Sequence, residues 1–264
     1  MAPKYSNKLN NKLVIVVGGS SGIGYAVAEA SLEGGANVVI ASRTQKNIDA
    51  AIASLTEAYP DSAKRIRGHP CNLVDTDAES DVIKLFDFAT NNGAIKIDHI
   101  VDTAAADGPT VGDLASATVD TFLDSYRARC LGSAVLAKYA LKYMLSSSSS
   151  SITMTSGILV RRPMKGMSPR IAASSAKEGL ARTFAVDLAP IRVNVVSPGA
   201  IMTPLLVKMF DRFGEGLREN MRGSTLLGEI GQPEDIAESY LCSMKNRFMT
   251  GQVVQCDGGF LVKN

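Results

Sequence analysis

Histidine, paired cysteine, long apolar runs and an excess of either charge are all scarce in this chain, and each shortage excludes something. There are two histidines, His69 and His99, and four cysteines, Cys71, Cys130, Cys242 and Cys256, with no CxxC pair among them. A structural zinc site draws on clustered Cys and His ligands, so no metal is expected here. Scattered, unpaired cysteines read as the reduced thiols of an intracellular protein, with a cytoplasmic address as the default. Lys and Arg number 28 against 26 Asp and Glu, a formal net charge of +2, which does not suggest a nucleic-acid surface. No apolar run reaches the roughly 18 residues that a membrane span requires, so no membrane partner is expected. The segment Met1–Asn11 is polar and lacks the apolar stretch of a secretion signal.

What remains is an ordinary globular composition. The 264 residues are 45% hydrophobic and 20% charged, and the length suits one α/β domain spanning 1–264. Short apolar runs alternate with helical patterns. Strands are expected at 13–17, 37–41, 65–69, 97–101, 152–155, 191–196 and 253–255. Helices are expected at 25–32, 47–58, 77–89, 119–145 and 171–188. Continuous apolar strands suit a parallel sheet covered on both faces, and the β-α-β order predicts a doubly wound sheet flanked by helices. The serine run 146–151 reads as a surface loop.

Directly after the first strand comes Gly18-Gly19-Ser20-Ser21-Gly22-Ile23-Gly24, then a helix. Glycines allow close backbone approach to a pyrophosphate, and a helix N-terminus offers free N–H groups and partial positive charge. In this strand-turn-helix setting the pattern predicts a Rossmann-type dinucleotide site. The second strand ends in Ala41-Ser42-Arg43-Thr44, with no carboxylate to grip a ribose 2′-hydroxyl. Arg43, beside Ser42, could instead pair with a 2′-phosphate, so the expected cofactor is NADP(H).

These motifs resemble the short-chain dehydrogenase/reductase superfamily, from about Asn11 to Val262. Besides the glycine turn, the likeness includes Cys71-Asn72-Leu73, Arg192-Val193-Asn194-Val195-Val196-Ser197-Pro198-Gly199, Gly231-Gln232-Pro233-Glu234-Asp235 and Asp257-Gly258-Gly259. The resemblance implies cofactor contacts at Gly18, Ser20, Ser21, Gly22, Ile23, Gly24, Ser42, Arg43, Asn72, Leu73, Ala104, Pro198, Gly199, Ile201 and Thr203. It also implies a homodimer or homotetramer paired through the two long helices.

The same resemblance exposes departures. The family's catalytic set is Asn, Ser, Tyr and Lys, the last two as YxxxK. Ser156 matches the serine. Counting back from Glu178-Gly179-Leu180-Ala181-Arg182 puts Arg170 at the tyrosine position and Ser174 at the lysine position. A shifted register would supply Lys177 as the lysine, with Ala173 then replacing the tyrosine. No Tyr lies between Tyr143 and Tyr240. Arg129 stands at the Asn position, and the usual Asn-Asn-Ala-Gly reads Asp102-Thr103-Ala104-Ala105. Arginine stays charged with a pKa above about 12 and cannot act as the acid. Losing a positioned acid or base costs roughly 10²–10⁴ in rate, so ordinary carbonyl reduction should be crippled.

Ser156, Arg129, Arg170 and Asp102 are therefore the expected catalytic residues, with Tyr126 a candidate substitute acid and Asp102 or Asp107 a possible counter-charge to the arginines. Met202, Leu205, Leu206, Met209 and Phe210 would form a lid over a small apolar substrate, or face the core. The chain further resembles atypical fungal members of the superfamily from indole-alkaloid pathways, which lack YxxxK, reduce an imine or iminium with NADPH and guide a Diels–Alder cyclisation. Their cyclase Asp sits in a Pro-Asp-Pro-Gly turn, which here reads Pro163-Met164-Lys165-Gly166. The expectation is an NADPH-dependent reductase of an imine, iminium or conjugated bond in a bulky apolar metabolite. The alternatives are a non-redox cyclase or isomerase with structural cofactor, and a cofactor-binding protein without chemistry.

Overall fold

The structure, a computed structural model, describes residues 4–74, 77–104 and 114–264. Seven parallel strands form one sheet in the order β3-β2-β1-β4-β5-β6-β7. They are β1 (Leu13–Val17), β2 (Asn37–Ser42), β3 (Ile66–Pro70), β4 (His99–Asp102), β5 (Ser151–Thr155), β6 (Arg192–Pro198) and β7 (Val253–Cys256). The helices are α1 (Gly22–Glu33), α2 (Gln45–Ala58), α3 (Ala78–Thr90), α4 (Val119–Tyr126), α5 (Gly132–Tyr143), α6 (Ser168–Asp187), α7 (Pro204–Phe213), α8 (Glu215–Gly223) and α9 (Pro233–Lys245). The expected doubly wound sheet is present, and both of its faces are covered. One apolar cluster joins Ile15, Ile100, Ile152 and Val193 to Leu85, Leu136 and Ala181 of α3, α5 and α6. The other joins Val14, Val38 and Val196 to Val27, Ile48 and Leu241 of α1, α2 and α9. That double cover is why the strands read as continuous apolar runs.

Four elements differ from the sequence expectation. Ile97 makes only a single bridge to Met144, and β4 starts at His99. The helix expected at 119–145 is interrupted: Arg127–Leu131 widens into a π turn between α4 and α5. Such a turn inserts one residue into the helix and rotates the faces of its downstream part. Beyond it, Gly132 packs onto Leu73 while Ser133 reaches Asp102. Helix α8 gathers Glu215, Arg218, Glu219 and Arg222 on one face, sets only Leu217 and Met221 against them, and has no buried residue. Helix α9 was legible only as a motif; Gln232 and Asp235 cap its start reciprocally.

All four cysteines are free thiols. No helix among the described residues is long and apolar enough to cross a membrane, and no cluster of metal-ligating side chains occurs among them.

His99, at the start of β4, is buried, and its Nδ1 lies 2.9 Å from Ser151 Oγ. Burial, with Arg192 and Lys12 nearby, lowers its pKa from 6.5 to about 3. The folded state thus refuses a proton that the unfolded chain accepts. This contribution to stability is complete above the unfolded pKa and is lost as pH falls toward 3. Moving from about pH 7.5 to about pH 5 should cost about 2 kcal/mol through this group. Urea melts at both values should show that loss in the native chain, and a flatter response in His99→Gln. An equal slope in both would remove His99 as the cause.

Candidate active site

The carboxyl ends of β1, β4, β5 and β6 meet at one edge of the sheet, where doubly wound folds bind ligands. The glycine turn follows β1. Gly18 and Gly19 donate N–H bonds to Ala41 O at 2.8 and 3.2 Å, tying the turn to β2. Ser20 Oγ and Ser42 Oγ lie 2.8 Å apart, a second tie between the same segments. Gly18 sits at φ +84°, and a Cβ there would lie 2.8 Å from the Ala104 nitrogen. A Cβ at Gly24 would fall on the Gly18 carbonyl oxygen and the Thr103 hydroxyl. Both positions therefore require glycine: the first turn of α1 rests directly on the loop.

The start of α1 is built to receive an anion. Ser21 occupies the N-cap position with extended backbone, yet its side chain makes no capping bond, and the first turn carries no acidic residue. The N–H groups of that turn are left for an outside acceptor. Thr203 Cγ2 lies 3.0 Å from where a Cβ at Gly22 would sit, so the segment after β6 runs across the glycine turn. Pro198 ends β6, Gly199 donates to Cys256 O at 2.9 Å, Ile201 bridges to Gly231, and Thr203 Oγ1 caps α7 through Leu206 N at 3.3 Å. Arg43 is exposed at the end of β2 and makes no ion pair among the described residues. The residues present fit a nucleotide pyrophosphate held by the glycine turn, with Arg43 and Ser42 beside the ribose end.

Two of the expected nucleotide contacts have other employment. Asn72 accepts from Val74 N at 3.3 Å through its Oδ1, and its own N–H binds Asp81 at 2.9 Å. The Leu73 side chain is buried in the core against Gly132. Ala104 is half-buried next to the turn, its N–H given to Asp102 Oδ1 at 3.1 Å. Ala105 and Asp107 lie outside the described residues.

Asp102 departs most from expectation. It is 1% exposed. Its carboxylate accepts from Lys177 Nζ at 3.1 Å, from Ser133 Oγ and from Ala104 N. Three protein donors occupy it, so it positions β4, α5 and α6 rather than facing a substrate. Lys177 is 2% exposed and lies with Arg170 and Ser174 on one stripe of α6. Its ammonium is paired with Asp102.

Ser156, half-buried just past β5, is anchored by its N–H to Val196 O at 2.9 Å. Its hydroxyl donates to Glu178 Oε1 at 2.9 Å, and the other carboxylate oxygen receives Arg161 at 3.2 Å. Glu178 is buried and was not foreseen. The signal was there: Ala173, Lys177 and Ala181 recur on the core face of α6, with Glu178 adjoining it. Charged groups on such a face need buried partners. Arg129 is half-buried in the π turn and Arg170 half-buried in the first turn of α6, and α6 packs against both α4 and the π turn.

Both neighbouring tyrosines hold their protons more tightly than a free phenol. Tyr126 is directed at Cys130, whose charge and hydrogen bond, with partial burial, raise the phenol pKa. Tyr240 is fully buried on the opposite face of the sheet, 2.5 Å from Thr155 Oγ1, and burial raises its pKa too. The lid residues are mixed. Leu206 is buried, while Leu205 is 40% exposed. A cleft of about 400 Å³ beside Met202 and Ile230 is otherwise lined by Gln232 and by the charged Glu215, Arg218, Arg222 and Glu229. The expected apolar lid is thus polar on its α8 side.

A seven-stranded parallel sheet with a glycine cradle at its carboxyl edge defines a dinucleotide-binding Rossmann protein. Residues 5–263 match the SDR-like Rossmann domain, and the chain belongs to the short-chain dehydrogenase/reductase family, whose fold implies a nicotinamide cofactor. Among its relatives is the short-chain dehydrogenase/reductase ucsE of an Acremonium species, 40% identical over 99% of this chain and 100% of that one. Another is malC of Malbranchea aurantiaca, 36% identical over the full length of both. The solved structure of the MalC reductase/Diels-Alderase superposes with a TM-score of 0.91 at 35% identity, covering 98% of this chain and 100% of that one.

Proposed function

We propose that this chain is an NADPH-dependent reductase of an imine, iminium or conjugated bond in a bulky apolar metabolite, of the kind made in fungal secondary metabolism. One observation carries the reading. The glycine cradle is intact, while no tyrosine lies between Tyr143 and Tyr240, whether the family's YxxxK positions fall on Arg170 and Ser174 or on Ala173 and Lys177. When bound, the nicotinamide supplies hydride. An iminium carbon takes hydride and becomes a neutral amine without any proton, so the missing acid ceases to matter; a neutral imine must arrive already protonated, and the enolate from a conjugated acceptor must take its proton from water. Ser156, Arg129 and Arg170 surround the reacting centre in this reading, and Asp102 holds the frame beneath it. Arginines favour developing negative charge, which suits a conjugated acceptor; for a cationic one they must be offset.

A second reading, a cyclase using the pocket without redox chemistry, is favoured by the similarity to a protein named for both activities. It is weakened by Lys165, which stands in the turn Pro163–Gly166 where the resembling cyclases carry Asp. NADPH deuterated at C4 separates the two. The reductase reading expects deuterium in the product and matched NADPH oxidation with bicyclic imines or enones, and ketones slower by about 10²–10⁴. Product without cofactor oxidation would establish the second reading instead.

Preference for NADP(H) rests on Arg43. Arg43→Glu should weaken NADPH binding about ten- to hundredfold, the worth of a charge-assisted contact, and strengthen NADH binding. Titration of cofactor fluorescence measures both, and unchanged affinities would show that Arg43 does not meet the 2′-phosphate. Phe122, Leu123 and Leu131, at 38%, 45% and 43% exposure, and Val186 at 76%, leave apolar surface along α4 to α6, which supports pairing into a homodimer or homotetramer. We place the protein in the cytoplasm.

A further inference from the structure

We propose that Glu178 is a positioning residue that turns the Ser156 hydroxyl into a hydrogen-bond acceptor, so that the site selects a substrate nitrogen carrying a proton over a carbonyl oxygen. The inference narrows the substrate class of the reductase reading and relies on that reading for where the substrate lies.

Glu178 has a side chain only 5% exposed, and Arg161, 46% exposed, contacts its Oε2 at 3.2 Å. A buried carboxylate stays ionised only with such a counter-charge, and arginine keeps its proton at any working pH. An ionised carboxylate accepts hydrogen bonds and cannot donate them. The 2.9 Å contact between Ser156 Oγ and Glu178 Oε1 therefore uses the one hydrogen that the serine hydroxyl owns. The serine backbone is pinned as well, by its N–H to Val196 O at 2.9 Å. What Ser156 offers in its remaining directions is lone pairs.

The consequence is directional. A ketone oxygen meeting Ser156 would set lone pair against lone pair. A protonated imine would donate its N–H to the serine oxygen, in a chain that runs from substrate N–H to Ser156 to Glu178. Glu178 and Arg161 cancel in net charge, so the selection comes from the polarity of this chain and not from a field.

Three bicyclic probes of similar size test this on the enzyme saturated with NADP+, where no hydride moves. They are 3,4-dihydroisoquinolinium, its N-methyl cation and 1-tetralone, with affinities read by calorimetry below the pKa of the imine. The N–H cation should bind at least about tenfold tighter than both others, the worth of one hydrogen bond to a charged group. Glu178→Leu frees the serine proton and should reduce that preference to less than about twofold; Glu178→Gln, whose amide oxygen can still accept, should keep much of it. Ser156→Ala leaves the Glu178–Arg161 pair intact and should match the leucine variant, which carries the test should Glu178→Leu not fold. Equal binding of the N-methyl cation, preferred binding of the ketone, no binding of any probe, or undiminished preference in both Glu178→Leu and Ser156→Ala overturns the proposal. Preferred binding of the N–H cation with no turnover on NADPH would instead count against the reductase reading and leave this one standing.

Discussion

Lys177→Met should destabilise the fold by about 3–5 kcal/mol, because it strands a buried carboxylate. Lys177 and Asp102 meet at 3.1 Å with side chains 3% and 2% exposed, so no water can replace the lost ammonium. Ser133 and Ala104 would still donate to Asp102, but neither carries charge. The pair itself need not be a net stabiliser, since the cost of drying two ions offsets much of their attraction. The expected signature is therefore asymmetric. Either partner removed alone is costly, whereas Asp102→Asn with Lys177→Met should recover to within about 1.5 kcal/mol of the native chain, because a neutral carboxamide needs no counter-charge. Asparagine is also what the resembling family places there. Urea denaturation of the two singles and the double measures this directly. A single-variant cost below about 1 kcal/mol would mean that the carboxylate finds relief elsewhere.

The second large effect concerns the cradle. Gly24→Ala should weaken NADPH binding by at least about a hundredfold, since misplacing the turn removes several N–H contacts at once, each worth about 1 kcal/mol or more. The added methyl would meet the Gly18 carbonyl oxygen, a backbone atom that cannot swing aside, and the Thr103 hydroxyl. Helix α1 must then lift from the turn, with an overpacking cost of about 1–3 kcal/mol in stability. Circular dichroism and a thermal melt establish that the variant is folded before cofactor is titrated. Native affinity in a folded Gly24→Ala would show that the nucleotide phosphates lie elsewhere.

Several elements could be read without tertiary information because local pattern and global role coincide there. The apolar run 13–17, the glycine turn and the opening of α1 are contiguous, so strand, cradle and anion site follow from one stretch. The absence of a tyrosine between Tyr143 and Tyr240 is likewise a fact of the chain alone. The position of Asp102 at the end of β4 says that it lies near the ligand edge, not that its carboxylate is held by Lys177, Ser133 and Ala104. The π turn at Arg127–Leu131 was invisible because helical backbone continues through it and its residues include no proline or glycine to mark a break. Helix α8 was missed because Leu217 and Met221 are too few to set a period over so short a helix.

The linear chain determined the sheet, the nucleotide cradle and the want of a tyrosine between Tyr143 and Tyr240, since each depends on residue types in local order and on backbone propensities acting over a few residues. The tertiary structure alone decided which charges answer one another. Asp102 and Lys177 are 75 residues apart and Ser156 and Glu178 are 22 apart. Burying them together, away from water, is what turns ordinary polar residues into a locked ion pair and a serine with its proton facing inward.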